Sequence, residues 1–142
     1  MSAWKQRIAV AWGVPRHGWL PLHIEDLAWR VSLCINLPFL DLESAMESAL
    51  VGETRPARLY LEPAVLEVRF EADLFSVHWF ADDRAKEGEL ELSLALPVER
   101  QIRAWLRAFE NFSQAYQTEW ELHLSGNRMP DFTRVRELLR AR

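Results

Sequence analysis

Residues 57–96 decide the fold of this chain, and they read ARLYLEPAVLEVRFEADLFSVHWFADDRAKEGELELSLAL. In three segments, 66–71, 75–79 and 89–96, apolar residues alternate with charged or polar ones. Successive side chains on a strand point to opposite faces of a sheet, so this alternation predicts strands with one buried face and one solvent-exposed face. Three or four consecutive strands are therefore expected at the centre of the protein.

The segments between these strands predict how they pair. Residues 71–73 and 82–88 are polar and short enough for hairpin turns, which favours antiparallel neighbours. Glu62-Pro63 interrupts the alternation, and a proline at that place marks a bend, a bulge or a tight turn.

Further strand candidates precede this stretch. Ile8–Trp12 is a short apolar run, and the turn residues at 13–18 predict a hairpin into a strand at Trp19–Ile24. The alternating segment Leu27–Ile35 predicts the next strand. Pro21 cannot donate to a ladder, so its strand is expected at a sheet edge or to start late.

Two amphipathic helices flank the central strands. Asp41 is expected to cap the first helix, and Gly52 to end it. Its apolar residues recur at helical spacing: Leu42, Ala45, Met46, Ala49 and Leu50. Pro97 suits the first position of a second helix over roughly Val98 to Gln117. The buried stripe of that helix comprises Ile102, Trp105, Leu106, Phe109, Phe112 and Tyr116.

The last part of the sequence predicts two more elements. Alternation from Trp120 to Leu124 indicates a short strand, and Asp131 is placed to cap a final helix. Together the elements predict an α+β fold, with residues 1–142 forming a single domain. We expect a largely antiparallel sheet with the two principal helices packed on one face and the other face exposed and acidic.

Length and composition set the class of the protein. With 142 residues, 49% hydrophobic and 27% charged, the chain has the composition of a soluble globular domain. Its N-terminal residues lack a secretory pattern, and no apolar stretch approaches the ~20 residues of a membrane span, so a cytoplasmic location without membrane binding is expected. Cys34 has no partner for an internal disulfide and is expected to be a small buried hydrophobe.

The charge of the chain is concentrated in its central part. The net charge is -4, and residues 62–91 carry nine acids against three bases. An acidic sheet face repels phosphate backbones and attracts a basic protein surface. The alternative is a solvated outer face without a partner. The predicted contact residues are Glu67, Arg69, Glu71, Glu89 and Glu91.

No motif for catalysis, a metal or a cofactor is found. The four histidines do not form the closely spaced pairs that mark zinc sites, and there is no nucleophile elbow or phosphate-binding glycine loop. We therefore predict a protein that is not an enzyme, with no catalytic residues, metal or cofactor. The enzyme alternative requires a pocket that gathers His17, His23 or His78 with a carboxylate.

Arginines and tryptophans leave two further alternatives. Arg100, Arg103 and Arg107 recur at helical spacing, but Glu99 and Glu110 flank them, which favours a solvated face over a nucleic-acid patch. No nucleic-acid partner is expected. Four tryptophans crowd into the first thirty residues, where they would either pack in the core or form the interface of a homodimer: Trp4, Trp12, Trp19 and Trp29.

The order of elements over about residues 8 to 80 resembles small bacterial α+β immunity proteins. The resemblance rests on three segments: Gly18-Trp19-Leu20-Pro21-Leu22, Ser32-Leu33-Cys34-Ile35 leading into Asp41-Leu42, and Leu61-Glu62-Pro63. It implies a non-catalytic protein that binds a cognate toxin and blocks its active site. Such proteins share no fixed binding residues, so the resemblance assigns none here.

Overall fold

The computed structural model describes residues 7–34, 38–123 and 130–142, which form seven strands and three helices. The strands are β1 (Val10–Trp12), β2 (Trp19–Ile24), β3 (Leu27–Ser32), β4 (Ala57–Tyr60), β5 (Val65–Phe70), β6 (Leu74–Phe80) and β7 (Glu89–Ala95). The helices are α1 (Pro38–Leu50), α2 (Val98–His123) and α3 (Thr133–Arg140).

The central stretch forms a four-stranded antiparallel sheet in the order β4-β5-β6-β7, as its alternation predicts. Its inner face is apolar because alternate residues of each strand are buried, such as Leu66, Val68 and Val77. The turn between β4 and β5 contains Glu62-Pro63, and the Leu61 amide closes it by donating to the Ala64 carbonyl at 2.8 Å. The predicted turn at this proline is therefore confirmed.

The first three strands form a second antiparallel sheet in the order β1-β2-β3. β2 is its central strand, so the edge position expected from Pro21 is wrong. Pro21 lies opposite Gly13, just beyond the end of β1, and its carbonyl accepts a hydrogen bond from the Gly13 amide at 2.9 Å. Proline is tolerated there because its missing N–H faces a position that β1 no longer occupies.

Helix α1 begins at Pro38, three residues before the expected cap at Asp41. Proline suits the first turn of a helix because the first amides have no intrahelical acceptor. The earlier start places Phe39 in the core, where its ring lies 5.0 Å from Trp12 and 4.9 Å from Trp120. The Asp41 carboxylate instead accepts a hydrogen bond from the Arg58 amide and ties α1 to β4.

Helix α2 extends to His123 with a kink at Tyr116, so the strand predicted from Trp120 to Leu124 is wrong over the part that is described. Phe112, Tyr116 and Trp120 lie four residues apart, which is helical spacing, and Trp120 is almost fully buried against Phe39. The alternation from Trp120 to Leu124 covers few residues, and it is a weaker signal for secondary structure than the longer aromatic stripe at helical spacing. Leu124 itself lies outside the described residues.

The expected end of the first helix is confirmed, whereas the N-cap of α3 is Phe132 and not the expected Asp131, which lies one residue earlier. Gly52 follows α1 with a φ of 82°, a left-handed conformation that glycine adopts without a steric penalty. Before α3, the Asp131 carboxylate accepts hydrogen bonds from the Thr133 amide at 3.0 Å and the Thr133 hydroxyl at 2.6 Å. These bonds hold the pKa of Asp131 below its usual value.

Cys34 is exposed, so the prediction that it is buried is wrong. β3 ends at Ser32, and the alternation that would turn Cys34 inward no longer applies beyond that residue. The Cys34 amide donates to the Ser32 hydroxyl at 3.2 Å, which marks the departure of the chain from the strand.

The helices fill the space between the two sheets and bury a common core. α1 packs on β4 and β5, α2 packs on β1, β5 and β6, and α3 packs on α1. The Trp105 ring of α2 lies 5.9 Å from both Trp12 and Phe70, so one side chain joins the two sheets. The α+β class and the antiparallel pairing are confirmed, while the strands divide into two sheets rather than one.

Candidate functional site

The outer face of the four-stranded sheet carries the predicted contact residues of β5. The strand register places Arg58, Glu67 and His78 side by side across β4, β5 and β6. The Arg69 guanidinium binds the Glu67 carboxylate at 2.9 Å, and the Glu67 side chain is only 15% exposed. This part of the face is therefore a partly covered cluster of mixed charge, and its predicted acidic character is wrong for these strands.

A β-bulge in β7 changes which side chains face outward. Val77 pairs with Leu92 but His78 pairs with Leu90, so Glu91 is an extra residue in β7. Beyond the bulge the alternation is inverted: Leu90 shares the outer face with His78, and Glu89 pairs with Trp79 on the other face. The expectation that Glu89 shares a face with Glu67 is therefore wrong, because strict alternation cannot anticipate an inserted residue.

Glu71 lies at the turn between β5 and β6, at one end of the same sheet. Its amide donates to the Leu74 carbonyl at 3.1 Å, and its own carbonyl accepts a hydrogen bond from the Gln101 side chain at 2.8 Å. Glu71 is half-buried. The structure thus separates the five predicted residues into a paired cluster (Glu67, Arg69), a turn residue (Glu71) and an exposed strand end (Glu89, Glu91).

His78 is the titratable group that the outer face perturbs most clearly. Burial lowers the pKa of His78, and the positive charge of Arg69 lowers it further, while Glu67 and Glu71 act in the opposite direction. Its Nδ1 atom is buried, and no hydrogen-bond partner for it is found among the described residues. The imidazole is therefore held in its neutral form at pH 7.

Exposed carboxylates gather at the hairpin between β6 and β7 and at the start of β7. We call this set the acidic edge; it comprises Asp82, Asp83, Glu87, Glu89 and Glu91. β7 is the terminal strand of its sheet, and Leu90, between two of these glutamates, is 59% exposed. The hairpin folds back on the sheet at Gly88, where an added Cβ would approach the Phe80 ring to 2.7 Å.

The alternation of β7 predicted Glu89 and Glu91 as contact residues, whereas residues 82–88 were predicted only as a polar hairpin turn. Leu90 was expected on the apolar face with the other leucines of β7, and the bulge places it outside. A leucine between Glu89 and Glu91 is compatible with Leu90 on the apolar face and with Leu90 on the outer face. A sequence signal for the bulge is absent from this stretch.

The N-terminal tryptophans do not form one exposed surface. Trp12 is buried in the core, Trp19 and Trp29 are half-buried, and Trp4 lies outside the described residues. The Arg30 guanidinium lies 5.2 Å from the centre of the Trp19 ring, a cation–π arrangement. For Trp12 the core alternative is therefore confirmed, and self-association stays a prediction.

The histidines of the enzyme alternative lie on separate elements. His17 is in the β1–β2 connection, His23 is on β2, and His78 is on β6 of the other sheet. Over residues 7–34, 38–123 and 130–142 no group of three or more histidine, cysteine or acidic side chains is placed to hold a metal ion. Within the same part of the chain, no helix combines the length and apolarity that crossing a membrane requires.

Comparisons of the chain with protein-family models, curated proteins and solved structures gave no match. The resemblance to immunity proteins therefore stays a prediction.

Proposed function

We propose that this chain is a non-catalytic protein-binding module whose acidic edge holds a basic partner protein. In its specific form the proposal is an immunity-like inhibitor that binds a bacterial toxin in the cytoplasm. The observation that carries it is the set of five exposed carboxylates on the β6–β7 hairpin and the start of the terminal strand β7, which also carries the exposed Leu90.

The charge of the acidic edge favours rapid association with a basic surface. Residues 82–91 contain five carboxylates and two bases, Arg84 and Lys86, so the segment carries a net charge of 5 − 2 = 3 negative charges. Exposed charges of one sign steer an oppositely charged partner over about one Debye length, roughly 10 Å at 0.1 M salt. Such charges act mainly on the association rate.

Leu90 provides the apolar contact that charges alone do not supply. An exposed apolar side chain ringed by polar ones is the usual arrangement at the centre of a protein interface. A terminal strand also presents backbone amides and carbonyls that a strand of the partner can pair with. Charges on an edge strand can also serve only to prevent aggregation. A binding experiment distinguishes this role from the binding of a partner.

Glu89 and Glu91 are the first residues to test, because both are exposed and neither forms an ion pair with another residue of the described segments. Glu67 and Arg69 already neutralise each other at 2.9 Å and contribute less to a partner's binding. Glu71 stays a candidate contact at the far end of the sheet.

The test uses three forms of the full chain on an affinity matrix: the wild type, E89K/E91K and the control D26K/E53K. Asp26 and Glu53 are exposed and lie away from β7, so the control makes the same change in net charge. A lysate of the source organism is passed over each form at about 0.05 M and about 0.3 M salt, and bound proteins are identified by mass spectrometry. The association rate of the purified partner is then measured with each of the three forms.

We expect one stoichiometric basic protein on the wild type and on the control, released at the higher salt. For E89K/E91K the association rate should fall at least about tenfold. Inhibition of an enzymatic activity of the captured protein would support the immunity-like form. Equal association rates for wild type and E89K/E91K would reject the acidic edge as the binding surface.

A further inference from the structure

A groove of about 600 Å³ lies between the N-terminal segment and α2, and it takes no part in the acidic edge. Its polar lining consists of four arginines and one asparagine: Arg7, Arg100, Arg103, Arg107 and Asn111. Its remaining lining is small or apolar and comprises Ile8, Ala9, Val10, Ala104 and Ala108. We call this feature the basic groove.

The two walls of the basic groove bring positive charges together that are far apart in the sequence. Arg100, Arg103 and Arg107 lie at positions i, i+3 and i+7 of α2, which places them along one helix face over about 10 Å. Arg7 enters from the opposite wall, just before β1. The small side chains of Ala104 and Ala108 leave the space between the arginines open.

The acidic residues that flank these arginines in sequence are bound to other arginines. Glu99 binds Arg142 at 2.6 Å, and Glu110 binds Arg136 at 2.8 Å. The pKa of Glu99 lies below its usual value, first because of a hydrogen bond from its own backbone amide and then because of Arg142. Glu99 also interacts with the charge of Arg103, so the flanking carboxylates offset only part of the positive charge that Arg103 and Arg107 present to the groove.

From this arrangement we infer that the basic groove binds a small ligand that carries linked phosphate groups, such as a nucleoside triphosphate or a short inorganic polyphosphate. Guanidinium groups form paired hydrogen bonds with phosphate oxygens. The guanidiniums of Arg7, Arg103 and Arg107 match the three to four negative charges of a triphosphate better than the single charge of a carboxylate. A volume of about 600 Å³ fits a ligand of this size.

The extent of the positive charge favours a small ligand over a nucleic acid. Along α2 the arginines span about two helical turns, and the neutral pairs of Glu99 and Glu110 lie at either end. The chain as a whole carries a net charge of -4, which opposes a long phosphate backbone. The apolar residues of the lining can receive a base or a sugar beside the phosphates.

The test is a calorimetric titration of the full chain with three probes: sodium tripolyphosphate, ATP without metal, and a single-stranded oligothymidylate of about twelve nucleotides. The variant is R103Q/R107Q. The control is R84Q/R134Q, which removes two other exposed arginines and makes the same change in net charge. Circular dichroism verifies folding, and the single variants R103Q and R107Q replace the double variant if it does not fold.

We expect tripolyphosphate and ATP to bind with a stoichiometry of one, with affinity at least about tenfold weaker in R103Q/R107Q and nearly unchanged in the control. Tighter binding of ATP than of tripolyphosphate would identify the ligand of the basic groove as a nucleotide. Tighter binding of tripolyphosphate would identify it as inorganic polyphosphate. The inference is overturned if both double variants weaken binding equally, if neither small probe binds at about 1 mM, or if the oligothymidylate binds more tightly than ATP. None of these probes reports on the acidic edge, so this result and that of the partner capture are independent.

Discussion

Gln101 is a fully buried polar residue at the start of α2, and its amide joins three parts of the fold. Its Nε2 atom donates to the Glu71 carbonyl at 2.8 Å and to the Leu96 carbonyl at 2.8 Å. The first bond reaches the β5–β6 turn, and the second reaches the residue that follows β7. We predict that Q101M destabilises the protein although methionine has a similar size and helix propensity.

The magnitude follows from the groups that lose a partner. The Leu96 carbonyl is in the buried interior, so the loss of its donor costs about 1–3 kcal/mol, whereas the Glu71 carbonyl can recover water and loses about 0.5–1 kcal/mol. No donor for Gln101 Oε1 is found among the described residues, so the removal of this buried oxygen stabilises the folded state by about 1 kcal/mol and offsets part of the loss. The net loss is about 2 kcal/mol.

Urea unfolding measured by circular dichroism and tryptophan fluorescence provides the free energy of unfolding. With a slope of about 2 kcal/mol per molar urea, the midpoint of Q101M should fall by about 1 M. Q101E should lose more than Q101M, because a carboxylate brings no N–H donor and turns negative charge toward two carbonyl oxygens. The matched control is Q114M, a change at an exposed glutamine of the same helix, which should leave the midpoint nearly unchanged.

A midpoint for Q101M within about 0.2 M of the wild type would refute this reasoning. It would mean that the two carbonyls find other donors without cost, and that Gln101 does not stabilise the junction between α2 and the sheet. The same conclusion would follow if Q114M and Q101M lost stability equally.

Two further predictions concern the outer face and the end of β3. The pKa of His78 is lower in the folded protein than in the unfolded chain, so the free energy of unfolding should be highest above about pH 6.5 and fall as the pH drops below that value. Unfolding of H78Q, measured over the same pH range, should depend less on pH. Equal pH dependence of H78Q and the wild type would contradict the lowered pKa. Cys34 is exposed, so one equivalent of a thiol reagent should label the folded protein at a rate close to that in denaturant, and protection of the thiol would contradict its exposure.

The sequence predicted the parts of the fold in which one long pattern governs many residues. The alternation over 57–96 predicted three or four strands, of which the structure has four, and the apolar spacing from Ile102 onward predicted most of α2. These patterns are reliable because a register error would expose a whole apolar face. The start of α1 and the end of α2 were misplaced because single residues there, Asp41 and Trp120, take their roles from contacts made far away in sequence.

The candidate sites were harder to predict because they depend on how elements meet. One extra residue in β7 moves Leu90 to the outer face, and the effect is invisible in a pattern of alternating glutamate and leucine. The convergence of Arg7 with the arginines of α2 requires the position of β1 against that helix. Likewise, Glu99 and Glu110 flank the arginines in sequence but bind partners from the last part of the chain.

The two ends of the four-stranded sheet are unequal, and this limits the assemblies that the sheet can form. At β4 the Arg58 amide points away from β5 and is occupied by the Asp41 carboxylate, and β3 lies beside the strand. Among the described residues, β7 is the end of this sheet at which no neighbouring strand or covering side chain is found. A strand added at β7 meets no equally open edge at β4, so edge pairing through this sheet favours two molecules over a continuous chain of sheets.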